Sequence, residues 1–344
     1  MALRVGIVGA GAAGTLRARE LEAYPDVRIT AVADPNRPAR DAFVRTFGIP
    51  LAVSDHERLV VHEEVDIVVI AAPTVTHGVV ALDALAAGKH VICEQPIAIT
   101  AAQGAAMIDK AENSTGRLFV ALPQRYDPVN QEVLRMLENE QIGYPFLLLG
   151  SYLKNQFDRL NDWHDWKGTW EVAGGGILME YGSEIIDLFH YLIGDIGAVS
   201  TVCARFATDP LHKAEDSCLV GIEFIDDISA DLAITGAAKF SAWPEEYPGT
   251  AMRLEMYGLE GSIRILSSTP RLTVVTKSGG RKKIPESEIK TDLPTDMMRD
   301  FLDCILEDKD PLVNAKDALS ALRVVLASYK SSQMKRRVEM LEEV

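Results

Sequence analysis

A glycine-rich turn places the tightest constraint on the fold of this chain. Gly9, Gly11 and Gly14 form the pattern G-x-G-x-x-G, which directly follows a predicted strand over residues 4–8 and opens a predicted helix over residues 12–23. In such a turn the first glycine permits the sharp bend, the second admits a pyrophosphate against the backbone, and the third allows close helix packing. The helix N-terminus then faces the phosphate charge. We therefore predict a dinucleotide site whose loop contacts are Gly9, Ala10, Gly11, Ala12, Ala13 and Gly14.

An acidic residue completes this pattern. Asp34 follows the next predicted strand, over residues 28–33, and lies 20 residues after Gly14 (34 − 14 = 20). A carboxylate there accepts hydrogen bonds from the ribose hydroxyls and repels a 2′-phosphate, which predicts NAD as the cofactor. Arg37 lies close enough to pair with a 2′-phosphate, so NADP stays open. The competing interpretation is a ligand-free turn with Asp34 as a helix cap, which the agreement of strand, glycines, helix and acid disfavours.

The hydrophobic pattern divides the chain into two regions. Up to residue 122, short apolar runs alternate with helical patterns, which is typical of a parallel sheet covered by helices. The run at 66–72 is continuously apolar, as expected of a central strand buried on both faces. After Pro123, longer strands are separated by hairpin signals, which indicates a mostly antiparallel sheet. We predict an α/β chain with a Rossmann domain at 1–122 and a second α/β domain at 123–344.

Composition and charge disfavour several classes of protein. The formal net charge of −15 and the lack of a Lys/Arg-rich stripe argue against nucleic-acid binding. The apolar runs are too short to span a membrane. The first residues lead into a strand pattern without the regions of a signal peptide, so we expect a cytoplasmic protein. The four cysteines lie far apart, which predicts buried thiols rather than a disulfide framework or a zinc site.

A series of short motifs runs in order through the rest of the chain. They are A-P-T-V-T-H at 72–77, A-G-K-H-V at 87–91, E-Q-P at 94–96, Q-R-Y-D-P at 124–128, G-G-G at 174–176 and G-x-E-x-x-D at 182–187. In the order and spacing of these motifs the chain resembles, over nearly its whole length, the glucose–fructose oxidoreductase and inositol dehydrogenase (Gfo/Idh/MocA) family.

The resemblance implies a fold, an activity and a set of cofactor contacts. The implied fold is a Rossmann domain followed by an α/β domain with an open, mostly antiparallel sheet, whose exposed face carries the interface of a homodimer or homotetramer. The implied activity is NAD(P)-dependent oxidation or reduction of a sugar, a cyclic polyol or a related small molecule. The positions that match the family motifs imply that the nicotinamide half of the cofactor lies along Pro73, Thr74, His77, Glu94 and Gln95.

The chain departs from the family at two positions that matter for proton transfer. Gln95 stands where the family has lysine, and Glu184 stands where it has histidine. Gln95 donates a hydrogen bond but cannot carry a proton, whereas an ionised Glu184 can act as a base. Glu180, Glu184 and Asp187 have helical spacing, so we expect them to share one face and to raise the pKa of at least one carboxyl group. Such a cluster would also suit a cationic substrate or a divalent metal, although no metal site is assigned; the alternative is a solvated helix face.

A loop rich in tryptophan precedes the glycine triplet. Residues 163–170 contain three tryptophans together with His164 and Lys167. Indole faces suit sugar rings or a cation, and the histidine and lysine are candidates for proton transfer; Lys154, after the preceding strand, is a weaker one. A surface loop anchored by its tryptophans is the alternative. The predicted catalytic residues are Gln95, His164, Lys167, Glu180 and Glu184.

Three functions fit these observations. The leading hypothesis is an NAD(P)-dependent oxidoreductase that acts on CH–OH groups of a sugar or polyol with an altered proton relay. The second is a non-redox enzyme, such as a glycosidase or a lyase, that recycles NAD internally. The third is a non-catalytic sensor of NAD or sugar.

Overall fold

The computed structural model describes residues 2–156, 159, 162, 165–206, 213–238, 250–267 and 271–340. The chain separates into a first unit, Met1–Leu122 with Asp296–Leu319, and a second unit, Pro123–Thr295 with Ser320–Val344. The domain bounds 1–122 and 123–344 stay a prediction. In the structure the segment Asp296–Leu319 groups with the first unit, although it follows the second along the chain.

The first unit is built on a six-stranded parallel sheet in the order β3-β2-β1-β4-β5-β6. Its strands are β1 (Leu3–Val8), β2 (Val27–Ala33), β3 (Leu51–Val53), β4 (Ile67–Ile70), β5 (His90–Cys93) and β6 (Leu118–Val120). The connecting helices are α1 (Ala12–Leu21), α2 (Arg37–Phe47), α3 (His56–Val60), α4 (His77–Ala86) and α5 (Ala101–Glu112). The strand order reverses between β1 and β4, and ligands of such sheets bind at the carboxyl ends of the strands beside this point.

The second unit contains a nine-stranded sheet in the order β14-β13-β12-β11-β7-β10-β9-β8-β15. Its strands are β7 (Pro145–Lys154), β8 (Ile196–Ala204), β9 (Ser217–Phe224), β10 (Ser229–Thr235), β11 (Thr250–Gly258), β12 (Gly261–Leu266), β13 (Leu272–Thr276), β14 (Gly280–Ile284) and β15 (Val338–Glu339). β7 and β10 pair in parallel, whereas the other described pairs are antiparallel. The predicted fold class, a Rossmann domain with a second, mostly antiparallel α/β domain, is confirmed.

The remaining helices are α6 (Pro128–Glu138), α7 (Trp170–Ala173), α8 (Ser183–Ile193), α9 (Met297–Glu307) and α10 (Ala315–Met334), of which α9 belongs to the first unit. The π-helical turn Leu178–Gly182 directly precedes α8. α8 covers one face of the second sheet, where a Cβ on Gly150 of β7 would lie 2.9 Å from the ring of Phe189. No helix within the described part of the chain is both long enough and apolar enough to cross a membrane.

The cysteines differ in part from the prediction. Cys93 and Cys304 are free and buried, as expected. Cys203 and Cys218 lie directly opposite each other on β8 and β9 and are joined as a disulfide. The prediction of a free thiol is wrong for this pair, because antiparallel pairing brings two distant sequence positions into contact.

Candidate active site

The glycine loop of the first unit has the geometry that a bound pyrophosphate requires. Gly9 has a φ of +107°, which favours glycine. A Cβ on Gly14 would lie 1.9 Å from the carbonyl oxygen of Gly9, so the helix approaches the strand this closely only without a side chain. A Cβ on Gly11 would meet nothing within 4 Å, which leaves space where such loops face the pyrophosphate. Ala12 and Ala13 are exposed in the first turn of α1, whose N-terminus attracts anions.

Asp34 is fixed beside this loop. Its Oδ2 accepts a hydrogen bond from the backbone N–H of Ala10, and its Oδ1 accepts one from the backbone N–H of Asn36, both at 2.7 Å. The carboxylate is thereby oriented at the carboxyl end of β2, where it can accept further hydrogen bonds from ribose hydroxyls. Arg37 is 81% exposed and pairs with Asp41 at 3.6 Å, an interaction of little energetic weight. The geometry therefore favours Asp34 as the determinant of cofactor choice.

Other predicted cofactor contacts follow β4. Pro73 precedes the short 3₁₀ turn Thr74–Thr76, and His77 begins α4 directly after it. The buried His77 ring contacts the carbonyl oxygens of Ala72 (Nε2, 3.0 Å) and Pro96 (Nδ1, 2.9 Å). Burial lowers the pKa of His77. An enclosed imidazole between two carbonyl oxygens holds the segments after β4 and β5 together and is poorly placed to exchange protons with a substrate.

Glu94 and Gln95 follow β5, and their side chains differ in their hydrogen-bond partners. Arg17 of α1 binds the Glu94 carboxylate through Nε and through Nη2, the latter at 3.1 Å. In contrast, both polar atoms of the Gln95 amide are buried and have no hydrogen-bond partner within the described part of the chain. Burying an unpaired amide is costly, so a ligand that bonded to this amide would gain a favourable interaction. The glycine loop, Asp34 and the Gln95 amide together fit a bound dinucleotide.

A charged cluster in the second unit contains further predicted catalytic residues. Glu180 lies in the π-helical turn, where Lys167 donates to Oε1 at 2.5 Å and Arg159 donates to the two carboxylate oxygens at 3.1 and 2.8 Å. Burial opposes the ionisation of Glu180, but Lys167 and Arg159 outweigh it and lower the pKa of its carboxyl group. Glu180 is therefore an ionised, doubly paired group and a weak proton acceptor. Single π turns are frequent at functional sites.

The three acids of this segment have different partners. Asp187 is buried and bound by Arg125, whose Nε and Nη2 lie 3.0 and 2.7 Å from its oxygens. Glu184 is half-buried in the first turn of α8, where its charge acts on Lys154. The pKa of Glu180 is lowered rather than raised, because cations from other segments reach it. Among the described residues, no group of three or more His, Cys, Asp and Glu side chains is arranged to hold a metal ion.

A hydrogen-bonded group around Tyr181 completes this cluster. Lys154, at the end of β7, donates to the Tyr181 hydroxyl at 2.6 Å, and its Nζ lies 3.9 Å from the ring centre. Gln156 donates to the same hydroxyl at 3.0 Å and accepts from Arg159 at 2.6 Å. From the sequence alone, Lys154 is only a weak candidate, and Tyr181 and Gln156 are not candidates. The place of Lys154 at a strand end, directly before the aromatic loop, is the signal that identifies it.

The tryptophan loop is described only in part. Trp163 and the predicted catalytic residue His164 lie outside the described residues. Trp170 packs edge-on against Tyr329, with ring centres 4.6 Å apart, and its Nε1 donates to the carbonyl oxygen of Lys213 at 3.0 Å. Trp170 thus anchors its end of the loop.

Two models of known protein families match this chain. The model described as "Oxidoreductase family, NAD-binding Rossmann fold" (GFO_IDH_MocA) matches residues 3–122, and the model for the C-terminal alpha/beta domain of the same oxidoreductase family matches residues 135–340. The chain belongs to the Gfo/Idh/MocA oxidoreductase family and is an NAD-dependent oxidoreductase. The predicted family, the predicted cofactor and the predicted class of enzyme are confirmed.

Several relatives are dehydrogenases. A levoglucosan dehydrogenase from Pseudarthrobacter phenanthrenivorans is 30% identical over 222 residues, which cover 61% of this chain and 56% of that protein. A myo-inositol 2-dehydrogenase from Thermotoga maritima is 24% identical over 351 residues, which cover 99% of both chains. The solved structure of a levoglucosan dehydrogenase in complex with NADH and levoglucosan superposes with a TM-score of 0.87 at 23% identity, covering 98% of this chain and 99% of that one. At this identity the structural likeness shows the fold.

Proposed function

We propose that this protein oxidises a hydroxyl group of a neutral sugar or cyclic polyol with NAD, or catalyses the reverse reduction. The family's description as oxidoreductases supports net hydride transfer over internal NAD recycling or ligand sensing. Relatives named for levoglucosan and myo-inositol support the substrate class. The buried amide of Gln95, which has no partner among the described residues, carries the proposal, because a ligand at the end of β5 would satisfy it.

We assign the following roles to the residues of the proposed site. The backbone from Gly9 to Gly14 binds the pyrophosphate, Asp34 binds the ribose, and Gln95 binds the nicotinamide or the substrate. NAD bound there would supply the acceptor for the hydride of the carbon that bears the hydroxyl group. Since Gln95 cannot take the hydroxyl proton, Glu184 is proposed as the carboxylate that finally accepts it.

Glu180 and Lys167 receive a different role. Because they pair with each other at 2.5 Å, we assign them to positioning the π-helical turn rather than to proton transfer. His164 stays a candidate for proton transfer, and Arg37 and NADP stay a secondary possibility at the ribose.

The charge balance of the second-unit cluster favours a neutral substrate. Its described charged groups are the cations Lys154, Arg159 and Lys167 and the acids Asp165, Glu180 and Glu184. Charges of both signs are interspersed in this cluster, and two of the cations are paired with Glu180, which supports a neutral substrate over a strongly charged one. This mixture argues against the cationic substrate or the divalent metal that the three acids alone would suggest.

A substrate panel tests the proposal. The absorbance of reduced nicotinamide is followed while the protein and NAD meet matched neutral polyols, amino sugars, uronates and sugar phosphates. We expect reduction with at least one neutral member, at a kcat/KM about tenfold or more above its charged analogues. A preference for a charged member would contradict the substrate class. No reduction with any member, although NADH binds, would contradict the dehydrogenase proposal.

The role of Glu184 is tested by substitution. Glu184→Gln keeps the size of the side chain but removes its ability to accept a proton, so kcat should fall by about a hundredfold. The affinity for NADH should not change. Glu171→Gln, an exposed acid in the first turn of α7, is the matched control. Unchanged turnover in Glu184→Gln would contradict this role.

We also propose that the open face of the second sheet joins two or four copies of the chain, as the family resemblance implies. Leu149, Val202 and Leu219 lie on this face and are 36%, 68% and 62% exposed. Sedimentation velocity should give a multiple of 37.7 kDa. Leu219→Asp should shift the protein to the monomer, whereas a monomeric wild type would contradict the proposal.

A further inference from the structure

Oxidation of an alcohol makes two demands that Gln95 cannot meet. The hydroxyl proton needs an acceptor, and the negative charge that develops on the oxygen needs a nearby cation or hydrogen-bond donor. A neutral amide supplies only the hydrogen bond. Glu184 can accept a proton but brings a further negative charge. A cation that is able to lose its proton is therefore needed.

Two of the three cations in the second-unit cluster are already paired with carboxylates. Lys167 and Arg159 both bind Glu180, and Arg159 also lies 3.4 Å from Asp165. An arginine, moreover, does not deprotonate in proteins. Lys154 forms no ion pair with any described residue, and its amine donates to the Tyr181 hydroxyl. Lys154 is therefore the cation whose charge is not already neutralised.

The surroundings of Lys154 fix the position of its amine. The Tyr181 hydroxyl also accepts from Gln156, and the Tyr181 ring stacks on Tyr152 with centres 5.2 Å apart. The phenol is thus held by its ring and its oxygen, and it holds the lysine in turn. Because Tyr181 belongs to the π-helical turn, the turn that presents Glu180 to its cations also presents this hydroxyl to Lys154.

Several groups set the protonation of this amine. Burial lowers the pKa of Lys154, and the positive charges of Arg159 and Lys167 lower it further. The negative charges of Glu180, in the π-helical turn, and Glu184, on α8, act in the opposite direction but do not cancel these effects. The amine therefore loses its proton more readily than that of an exposed lysine.

We propose that Lys154 is the catalytic group that exchanges the proton of the substrate hydroxyl, and that Tyr181 is a positioning residue for its amine. The inference rests on the proposed dehydrogenase function. During oxidation the C–H bond breaks with both electrons passing as hydride to the nicotinamide. The O–H bond breaks toward the neutral amine of Lys154, and the C–O bond becomes a carbonyl. The resulting ammonium passes the proton to Glu184, and in the reduction it returns the proton to the oxygen.

A titration without substrate tests the state of the amine. Lysines of the full-length protein are methylated reductively with isotope-labelled formaldehyde, and their resonances are followed with pH by NMR. The resonance missing from Lys154→Arg identifies Lys154. We expect it to titrate at lower pH than the other lysines, and at still lower pH in Glu184→Gln. A Lys154 resonance that titrates together with the surface lysines would overturn the inference.

Turnover of the best substrate from the panel provides the second test. Lys154→Arg keeps the positive charge but cannot exchange a proton, so kcat should fall by about 10²- to 10⁴-fold while NADH binding is unchanged. Tyr181→Phe should lower kcat less and move the acidic limb of the pH–rate profile together with the Lys154 resonance. Lys277→Gln, an exposed lysine, is the control. Full turnover in Lys154→Arg would overturn the inference.

The two proposals fail in different ways. If the wild type reduces NAD with no member of the panel, the dehydrogenase proposal fails, whatever the titration shows. If the wild type is active and Lys154→Arg is equally active, only the assignment of Lys154 fails. If kcat falls in Lys154→Arg but Lys154 titrates as a surface lysine, the amine supplies charge without exchanging a proton, which also overturns the assignment.

Discussion

The glycine loop of the first unit and the charged cluster of the second unit are specified by the sequence in different ways. The loop consists of six consecutive residues, and its function depends on backbone conformation and on the absence of side chains at Gly9, Gly11 and Gly14. The cluster gathers side chains from β7, a loop, the π-helical turn and α8, and its chemistry depends on which charges pair. A site made by backbone geometry can be read from a motif, whereas a site made by charge pairing needs the fold.

The largest expected effect comes from breaking the loop. Gly14→Ala would force a Cβ to within 1.9 Å of the carbonyl oxygen of Gly9, so both stability and NADH binding should be lost. Gly11→Ala meets nothing within 4 Å in the protein, so the ligand-free melting temperature should not change. Its NADH affinity should nevertheless fall by about a hundredfold, because the methyl group occupies the place of the pyrophosphate.

Fluorescence titration with NADH and thermal denaturation without it check this pair. A loss of NADH affinity without a loss of melting temperature, in Gly11→Ala alone, would distinguish a block to the ligand from a packing defect. Wild-type NADH affinity in Gly11→Ala would show that the pyrophosphate does not lie against this loop.

The second-largest expected effect is a pH dependence of stability caused by Glu215, which binds the backbone at the start of the π-helical turn. Its carboxylate accepts hydrogen bonds from the backbone N–H groups of Gly176 (2.8 Å) and Leu178 (3.0 Å) and from the Tyr329 hydroxyl (2.8 Å). Burial outweighs these bonds and raises the pKa of Glu215 from 4.5 to about 7. The folded state then binds more protons than the unfolded state between these values. The stabilisation is complete below pH 4.5 and is lost as the pH rises through about 7.

Glu215→Gln removes this pH dependence. The free energy of unfolding of the wild type relative to the variant should decrease by on the order of 3 kcal/mol as the pH rises across this interval. Denaturant titrations at several pH values measure it. A difference between the two proteins that does not change with pH would show that Glu215 is not a buried titrating group.

A smaller effect is expected at the ribose. Asp34→Asn keeps an acceptor for the Ala10 N–H but removes the charge, so the preference for NADH over NADPH should fall by about tenfold. Arg37→Ala is the matched control, and because its side chain is exposed, both affinities should stay within about twofold. Competitive binding of the two cofactors measures the ratio. A larger effect at Arg37 than at Asp34 would reverse the assignment.

The sequence predicts the glycine loop of the first unit better than the charged cluster of the second unit. It predicts the strands and helices of the first unit that carry the cofactor loop, because each alternates clearly with its neighbours. It misses β13, although this strand is apolar and β-branched, and it misses β14, whose residues Gly280–Lys283 are polar and exposed. The motif spacing placed Glu180 and Glu184 on one helix but could not show that a π turn and two cations separate their roles. Cys203 and Cys218 show the same limit, since strand pairing decides their contact.

The central claim is that the protein transfers a hydride from substrate carbon to NAD without taking it back. The most direct measurement is a single turnover with a neutral polyol that carries deuterium on the reacting carbon, followed by mass spectrometry of the nicotinamide and the product. The account predicts deuterium in the reduced nicotinamide, in amounts equal to the carbonyl product. Deuterium returned to the product, with no net reduced nicotinamide, would contradict it and would indicate an internally recycled cofactor.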